Sequence, residues 1–148
     1  MTQQILVFQI GNNELAFSID YVQEIVKMTQ LTSLPETPAF FVGVFEFRNK
    51  VIPVINLSSL LQYKTTKKDN KDTRIIVILL NDSYYGLLVD AVTEVITVNN
   101  DQIKDTTIIS QINSDIVSGI YKNKEKLTCI LEIEHLLKGV YLDEVNSS

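Results

Sequence analysis

An internal repeat constrains the fold of this chain more than any other feature. Residues 20–26 are DYVQEIV and residues 90–96 are DAVTEVI, an offset of 70. Residues 43–61 and 119–137 match at an offset of 76, since each begins with Gly, continues with an apolar triplet broken by one polar residue, and ends in Leu-Leu. Two motifs that recur in the same order predict a duplicated unit of about 70 residues.

Strand-forming residues dominate both units. The chain has 18 Ile, 15 Val and 12 Thr, so 45 residues are β-branched, against three Ala. β-branched side chains pack well on the pleated surface of a sheet, whereas Ala is the strongest helix former. The composition therefore predicts an all-β fold with a few short helices, and it excludes a helical bundle.

Segments typical of strands and turns recur in both units. Two apolar segments joined by a short polar turn open each unit, at residues 5–10 and 15–19 and at residues 74–80 and 84–89. Residues 48–50 separate two further apolar segments and predict the tip of a hairpin. Asn56 or Ser58 is suited to cap a short helix that runs to Tyr63, and residues 132–138 are its counterpart.

A unit of this size matches a small β-barrel. Some five short strands in about 65 residues fit an SH3-like or OB-like barrel, and either unit alone would have a marginal core. We therefore predict two barrels packed together. Residues 64–73 contain no apolar side chain and predict a linker loop between subdomains 11–63 and 74–138, with the strand at residues 5–10 able to pack with either barrel.

The sequence offers no catalytic or cofactor-binding constellation. His135 is the single histidine and Cys129 the single cysteine, so neither a metal cluster nor an internal disulfide is expected. Cys129 lies in an apolar segment, where an unpaired cysteine behaves as a small hydrophobe. Five glycines leave no Gly-rich loop for a phosphate. We therefore expect no enzymatic activity, no cofactor and no metal.

Charge and hydropathy argue against two classes of partner. The net charge of −5 and the absence of Trp oppose the alternative function, a tandem β-barrel that binds nucleic acid, because such a protein needs a basic groove with exposed aromatic rings. The longest apolar run, residues 39–45, is far shorter than the roughly 20 residues that span a bilayer. No secretion signal is recognisable. We therefore expect a cytoplasmic protein without direct membrane insertion.

A set of short motifs follows a fixed order across both units. In the first unit they are Val22-Gln-Glu-Ile25, Leu34-Pro35, residues 38–43, Arg48 and residues 51–57. In the second unit they are residues 86–95, Gly119 and residues 130–133. The ordered set resembles the CheW family of bacterial chemotaxis coupling proteins. Each motif alone is mostly Val, Ile and Pro, so the resemblance is carried by their order.

The resemblance implies both a fold and a function. The fold would be two tandem five-stranded SH3-like barrels in one CheW-like domain over residues 1–148, which agrees with the duplication. Members of the family are non-catalytic adaptors that join the cytoplasmic tip of a chemoreceptor to the regulatory domain of a sensor histidine kinase. The resemblance therefore implies a scaffold that is recruited to receptor arrays at the inner membrane.

The resemblance also implies a partner surface. The receptor-facing groove of the family lies between the two barrels, and the matching positions are Val22, Glu24, Gly43 and Arg48. A helical receptor tip presents an apolar stripe edged with charge, so Val22 and Ile25 together with Glu24 and Arg48 would suit it. Arg48 is also able to pair with a carboxylate as a purely structural contact.

This chain departs from the family at the predicted hairpin tip. The family usually has Asn-Leu-Arg-Gly, whereas this chain has Glu46-Phe-Arg-Asn49. Asn tolerates the left-handed backbone nearly as Gly does, so the turn is expected to survive. Glu46 adds a negative charge two residues from Arg48, and we expect it to alter which partners are accepted.

Overall fold

The computed structural model describes residues 1–63, 71–105, 115–138 and 140. In sequence order, the strands are β1 (Thr2–Ile10), β2 (Asn13–Ser18), β3 (Val22–Lys27), β4 (Phe41–Phe47), β5 (Lys50–Asn56), β6 (Arg74–Leu80), β7 (Ser83–Val89), β8 (Ala91–Asn99), β9 (Ile103–Lys104), β10 (Val117–Asn123) and β11 (Lys126–Leu131). Short 3-10 turns occupy Ile19–Tyr21 and Asn100–Gln102, and the α-helices are α1 (Leu57–Leu60) and α2 (residues 133–138). None of the helices in the described residues is long and apolar enough to cross a membrane. The predicted all-β fold with a few short helices is confirmed.

The strands form two sheets with the same internal order. One sheet, in barrel A, has the order β8-β1-β2-β11-β10-β9, and the other, in barrel B, has the order β3-β6-β7-β5-β4. The repeat makes β1–β2 equivalent to β6–β7, β3 to β8, and the hairpin β4–β5 to β10–β11. With these equivalences the order β8-β1-β2-β11-β10 matches the order β3-β6-β7-β5-β4, and β9 is an additional strand of barrel A. Each sheet contains one parallel pairing, β2 with β11 in barrel A and β5 with β7 in barrel B.

Both sheets close on themselves at equivalent places. In barrel B the chain that follows β3 returns to β4, where Thr32 and Val44 exchange two backbone hydrogen bonds of 2.9 Å. In barrel A the chain that follows β8 passes through the turn Asn100–Gln102 into β9, which pairs with β10. We call these two junctions the seams. Closure leaves neither sheet with a long unpaired edge, which limits edge-to-edge association.

The strand pairing differs from the predicted division into subdomains 11–63 and 74–138. Barrel B is contiguous over residues 22–89, and barrel A combines residues 2–18 with residues 91–131. The predicted linker falls inside barrel B, and its residues 64–70 lie outside the described part of the chain. The physical reason is that the first hairpin of each repeat, β1–β2 or β6–β7, pairs with strands of the other repeat. Each barrel therefore contains strands from both repeats.

The two barrels share their largest apolar core. Alternate residues of β1 and β6 face opposite sides, so that Ile5 and Val7 fill barrel A, and Ile75 and Val77 fill barrel B. The intervening residues of the same strands, with both helices, form the shared core between the barrels. Strands buried on both faces have continuous apolar sequences rather than alternating ones, which explains the unbroken run in β6.

Candidate functional site

The predicted site residues lie on barrel B, on β3, on β4 and at the tip of the β4–β5 hairpin. β3 pairs with β6 and is irregular between Val22 and Glu24. Val22 is half-buried and packs against the shared core. Residues 23–25 are all exposed, and the Ile25 side chain remains 39% accessible although it is apolar. Beyond the irregularity Glu24 pairs with Val77 and Ile25 with Ile76, so these two exposed side chains lie on opposite faces of β3.

The hairpin tip has the backbone geometry of a tight two-residue turn. Arg48 and Asn49 both have positive φ, 50° and 65°, as a type I′ turn requires. Asn49 is suited to this conformation, as predicted, because Asn adopts it readily. Arg48 is not, since the left-handed region is unfavourable for a long side chain. The tip therefore holds an arginine where the turn itself favours Asn, Asp or Gly.

Arg48 reaches across the seam of barrel B to β3. Its Nη2 atom lies 3.1 Å from Glu24 Oε1, and the two side chains are 58% and 45% exposed. The guanidinium also lies 4.8 Å from the centroid of the buried Phe47 ring. Among the described residues the ion pair of Arg48 is with Glu24 and not with Glu46. We call Glu24 and Arg48 the charged pair.

Gly43 has a different environment from the charged pair. It is buried in β4, and a Cβ atom at this position would lie 2.7 Å from the carbonyl oxygen of Thr32. Gly119, its equivalent in β10, faces Ile103 of β9 even more closely. Both glycines therefore permit the close approach of backbone that closes a barrel. The structure thus brings Glu24 and Arg48 together, leaves Ile25 exposed on the other face of β3, and turns Val22 and Gly43 inward.

Sequence reasoning missed an apolar groove on barrel B. It runs along β4 and β5 and includes two exposed apolar side chains, Leu34 and Val51, which are 45% and 68% accessible. Pro38, Phe41 and Pro53 contribute to its walls. Prolines bracketing an apolar segment were visible in the sequence, but they predicted only a bend.

A second concave surface lies between the barrels and is acidic. Asp20, Glu132 and Glu134 line it together with Tyr21. Burial, followed by the charges of Glu132, Glu134 and Asp20, raises the pKa of Tyr21 above its ordinary value. None of the five predicted site residues lies in this lining.

No arrangement for nucleophilic or metal chemistry accompanies these surfaces. Burial raises the pKa of the Cys129 thiol above its ordinary value of 9.0, so this thiol is protonated at neutral pH and is a poor nucleophile. His135 is exposed on α2. Within the described residues, no group of three or more His, Cys, Asp or Glu side chains is placed to hold a metal ion.

Comparison with known proteins identifies the family to which this architecture belongs. The family model described as a CheW-like domain matches residues 4–140. The chain belongs to the CheW family. The chemotaxis protein CheW of Helicobacter pylori is 37% identical over 135 residues, which is 91% of this chain and 81% of that protein. The probable chemotaxis protein CheW of Rhizobium etli is 33% identical over 90% of this chain and 86% of its own length.

A solved structure supports the same assignment. The crystal structure of a scaffolding protein CheW from Thermoanaerobacter tengcongensis has a TM-score of 0.83 and 33% sequence identity, and the match covers 93% of this chain and 94% of that one. The resemblance and the predicted tandem SH3-like barrels are therefore confirmed. As a CheW family member, the protein is a non-catalytic adaptor of bacterial chemotaxis.

Proposed function

We propose that this CheW protein couples chemoreceptors to a sensor histidine kinase in the cytoplasm, and that the charged pair with Ile25 forms part of the partner surface. The observation that carries the proposal is the exposed ion pair of Arg48 with Glu24, in which Arg48 Nη2 lies 3.1 Å from Glu24 Oε1. We assign the surface to either the kinase regulatory domain or the receptor tip, and the binding experiment below separates the two.

The stability of the fold gives no reason for an arginine at this position. The left-handed conformation costs a residue with a Cβ atom about 1 kcal/mol. An ion pair between exposed side chains returns about 0–1 kcal/mol, and both members of the charged pair are well exposed. The contact of the guanidinium with the Phe47 ring adds about 0.5–1 kcal/mol. The arginine is therefore close to neutral for folding, which supports a role in recognition. Arginine suits this role because its planar guanidinium gives directed hydrogen bonds at interfaces.

Ile25 supplies the apolar part of the proposed surface. Ile25 follows Glu24 on the opposite face of β3, so a partner that covers both faces of this strand would contact both. Apolar contact then gives affinity and charge gives specificity. Glu46 is also exposed, one strand position before Phe47. We expect this charge to alter which partners the hairpin accepts.

The mutation Arg48→Ala tests the proposed surface. We expect it to weaken binding to a kinase regulatory domain or to a receptor tip by tenfold or more, with a thermal midpoint close to that of the wild type. Binding to each partner is measured separately by calorimetry or pull-down. The matched control is Lys124→Ala, because Lys124 is the equivalent exposed hairpin residue of barrel A and also has positive φ, 59°.

Two outcomes would contradict the proposal. Unchanged affinity of Arg48→Ala for both partners would remove the surface from partner binding. Salt-dependent retention of nucleic acid without binding to kinase or receptor would favour the nucleic-acid-binding alternative.

A further inference from the structure

The repeat places one glutamate beside the seam of each barrel. Glu24 of β3 and Glu94 of β8 occupy equivalent positions of the repeated motif. In barrel B, Arg48 at the tip of the β4–β5 hairpin reaches Glu24 at 3.1 Å. In barrel A, the Asn123 side chain at the end of β10 donates a hydrogen bond of 3.3 Å to Glu94. Each hairpin is therefore fastened across its seam to the repeated glutamate, but by different chemistry.

The fastening of barrel A belongs to a network with a buried end. The Asn123 side chain also donates a hydrogen bond of 3.5 Å to Glu14 on β2. Glu14 accepts a further hydrogen bond from the hydroxyl of Thr128, which is fully buried. We call Glu14, Glu94, Asn123 and Thr128 the polar network. Its donors are neutral and part of it is shielded from water, so dissolved salt screens it only weakly.

Barrel B has the repeated glutamate without the rest of this network. The repeat places apolar or aromatic residues at the other three positions, namely Phe47, Ile52 and Tyr84. The Phe47 and Tyr84 rings pack together with their centroids 5.9 Å apart. Within the described part of the chain, the side-chain partner of Glu24 is Arg48. The hairpin of barrel B is therefore fastened to β3 by an exposed ion pair.

The seam behind the charged pair is also the shorter of the two. In barrel B it is an isolated bridge, in which Thr32 and Val44 exchange two backbone hydrogen bonds. In barrel A it is a strand pairing between β9 and β10 with two facing residue pairs. The seam of barrel B therefore has both the weaker backbone pairing and the more exposed side-chain contact.

We propose that the charged pair is a latch on the seam of barrel B, which opens and closes in the native protein, and that the polar network keeps the seam of barrel A closed. Because both members of the charged pair are exposed, water and salt ions compete for each of them. An ion pair of this kind changes a local opening equilibrium by up to about fivefold. The latch is therefore sensitive to ionic strength.

Opening of the latch frees the Arg48 guanidinium and the Glu24 carboxylate for contact with another molecule. A partner that binds either charge holds the latch open. This consequence rests on the proposed function, in which a partner binds the charged pair, whereas the latch itself is a property of the chain alone.

Native-state hydrogen exchange of the full chain measures the opening of both seams. The probes are the Thr32 and Val44 amides in barrel B and the amides through which β9 pairs with β10 in barrel A. Raising the ionic strength from about 0.01 M to about 1 M shortens the Debye length roughly tenfold. We expect Thr32 and Val44 to exchange about two- to fivefold faster over this range, relative to the seam of barrel A. In Arg48→Ala they should exchange at the faster rate already at low salt, without a further response.

Two variants of barrel A are the matched controls. Lys124→Ala removes the exposed equivalent of Arg48, which forms no ion pair among the described residues, and should leave both seams unchanged. Asn123→Ala removes the centre of the polar network and should accelerate exchange in barrel A alone.

Three results would each overturn the latch. They are an equal response of both seams to salt, an unchanged salt response in Arg48→Ala, and exchange of Thr32 and Val44 only together with the core amides of β6. The proposed function fails separately, since a salt-sensitive seam combined with normal partner binding by Arg48→Ala would contradict the partner surface and leave the latch in place.

Discussion

At the scale of single residues, the hairpin tip of barrel B has one residue that suits its backbone and one that does not. Asn49 and Arg48 share a left-handed backbone, and only Asn49 is a residue that this backbone favours. The turn between β6 and β7 has Asn81 and Asp82, both at positive φ, whereas the equivalent turn between β10 and β11 has Lys124 at φ 59°. Arg48 differs from Lys124 in its ion pair with a residue of another strand, Glu24.

Replacing Arg48 by Asn should uncouple stability from binding. We expect the free energy of unfolding of Arg48→Asn to stay level or rise by up to about 1 kcal/mol, because the strain of the left-handed arginine is relieved while an exposed ion pair is lost. Partner affinity should fall as in Arg48→Ala. Urea denaturation measures the first quantity and calorimetric titration the second. A loss of stability well above 1 kcal/mol would show that the charged pair is structural.

Burial of the Cys129 thiol predicts that the stability of the protein depends on pH in the alkaline range. Because its pKa is raised in the folded chain, the unfolded chain loses the thiol proton first as pH increases. The contribution of the buried thiol to the free energy of unfolding is therefore complete below pH 9.0, the ordinary pKa of a thiol. This contribution declines as pH rises above that value. Unfolding free energies measured at increasing pH should fall less steeply in Cys129→Ala than in the wild type. Equal slopes would contradict this assignment.

At the scale of elements, the seams depend on the two repeated glycines. Gly43 and Gly119 occupy equivalent positions next to a register irregularity in β4 and β10, and each lies against the strand or bridge that closes its barrel. The sequence repeat identified these glycines as a pair. Their function in closure required the structure, because the residues they face are distant in sequence and carry no motif.

Adding a methyl group at a seam should destabilise the protein. We expect Gly43→Ala to lower the free energy of unfolding by about 2–3 kcal/mol, a typical cost of overpacking, because the new Cβ would clash with backbone of Thr32. Gly11→Ala is the matched control. Gly11 has φ 60° but no atom within 4 Å of a new Cβ, so its cost should be only about 1 kcal/mol. Equal losses in the two variants would mean that the seam accommodates the methyl group.

The elements themselves were predictable, whereas their pairing was not. Apolar runs and polar turns located the hairpins β1–β2 and β6–β7, and Asn56 does cap α1, its side chain accepting a 3.0 Å hydrogen bond from the Ser58 N–H. The two hairpins have the same apolar character, so nothing local specifies that each pairs with the other repeat. Parallel pairing across a long separation leaves no turn signal in the sequence. The division at residues 64–73 failed for this reason.

The residues of the proposed surface stay a prediction. Glu24 and Arg48 came from the family resemblance and Ile25 from the expected apolar stripe of a partner, and the structure joins only Glu24 and Arg48. Gly43 belongs to the seam because its environment is set by Thr32, eleven positions earlier. Leu34 and Val51 were missed as groove residues because an exposed apolar side chain in a strand-rich sequence looks like a core residue until its strand has been placed.

At the scale of the whole molecule, the shared core should make the two barrels unfold together. Phe17 is fully buried on β2 of barrel A and belongs to the same apolar cluster as Ile76 and Leu87 of barrel B. We expect Phe17→Ala to cost about 3–5 kcal/mol and to reduce hydrogen-exchange protection in β6 and β7 as strongly as in β1. The control is Val95→Ala, an exposed position on β8, which should leave protection unchanged. Retained protection in barrel B alone would show that the barrels unfold independently.

The arrangement of barrel A from both ends of the chain has a consequence for biosynthesis. Barrel B is complete once residue 89 has been translated, but β1 and β2 must wait for β8 and β11. The first two strands to leave the ribosome can pair with each other, but they are among the last to be enclosed in a barrel. During that interval Ile5 and Val7 lack Val98 and Ile130, the later residues with which they form the core of barrel A.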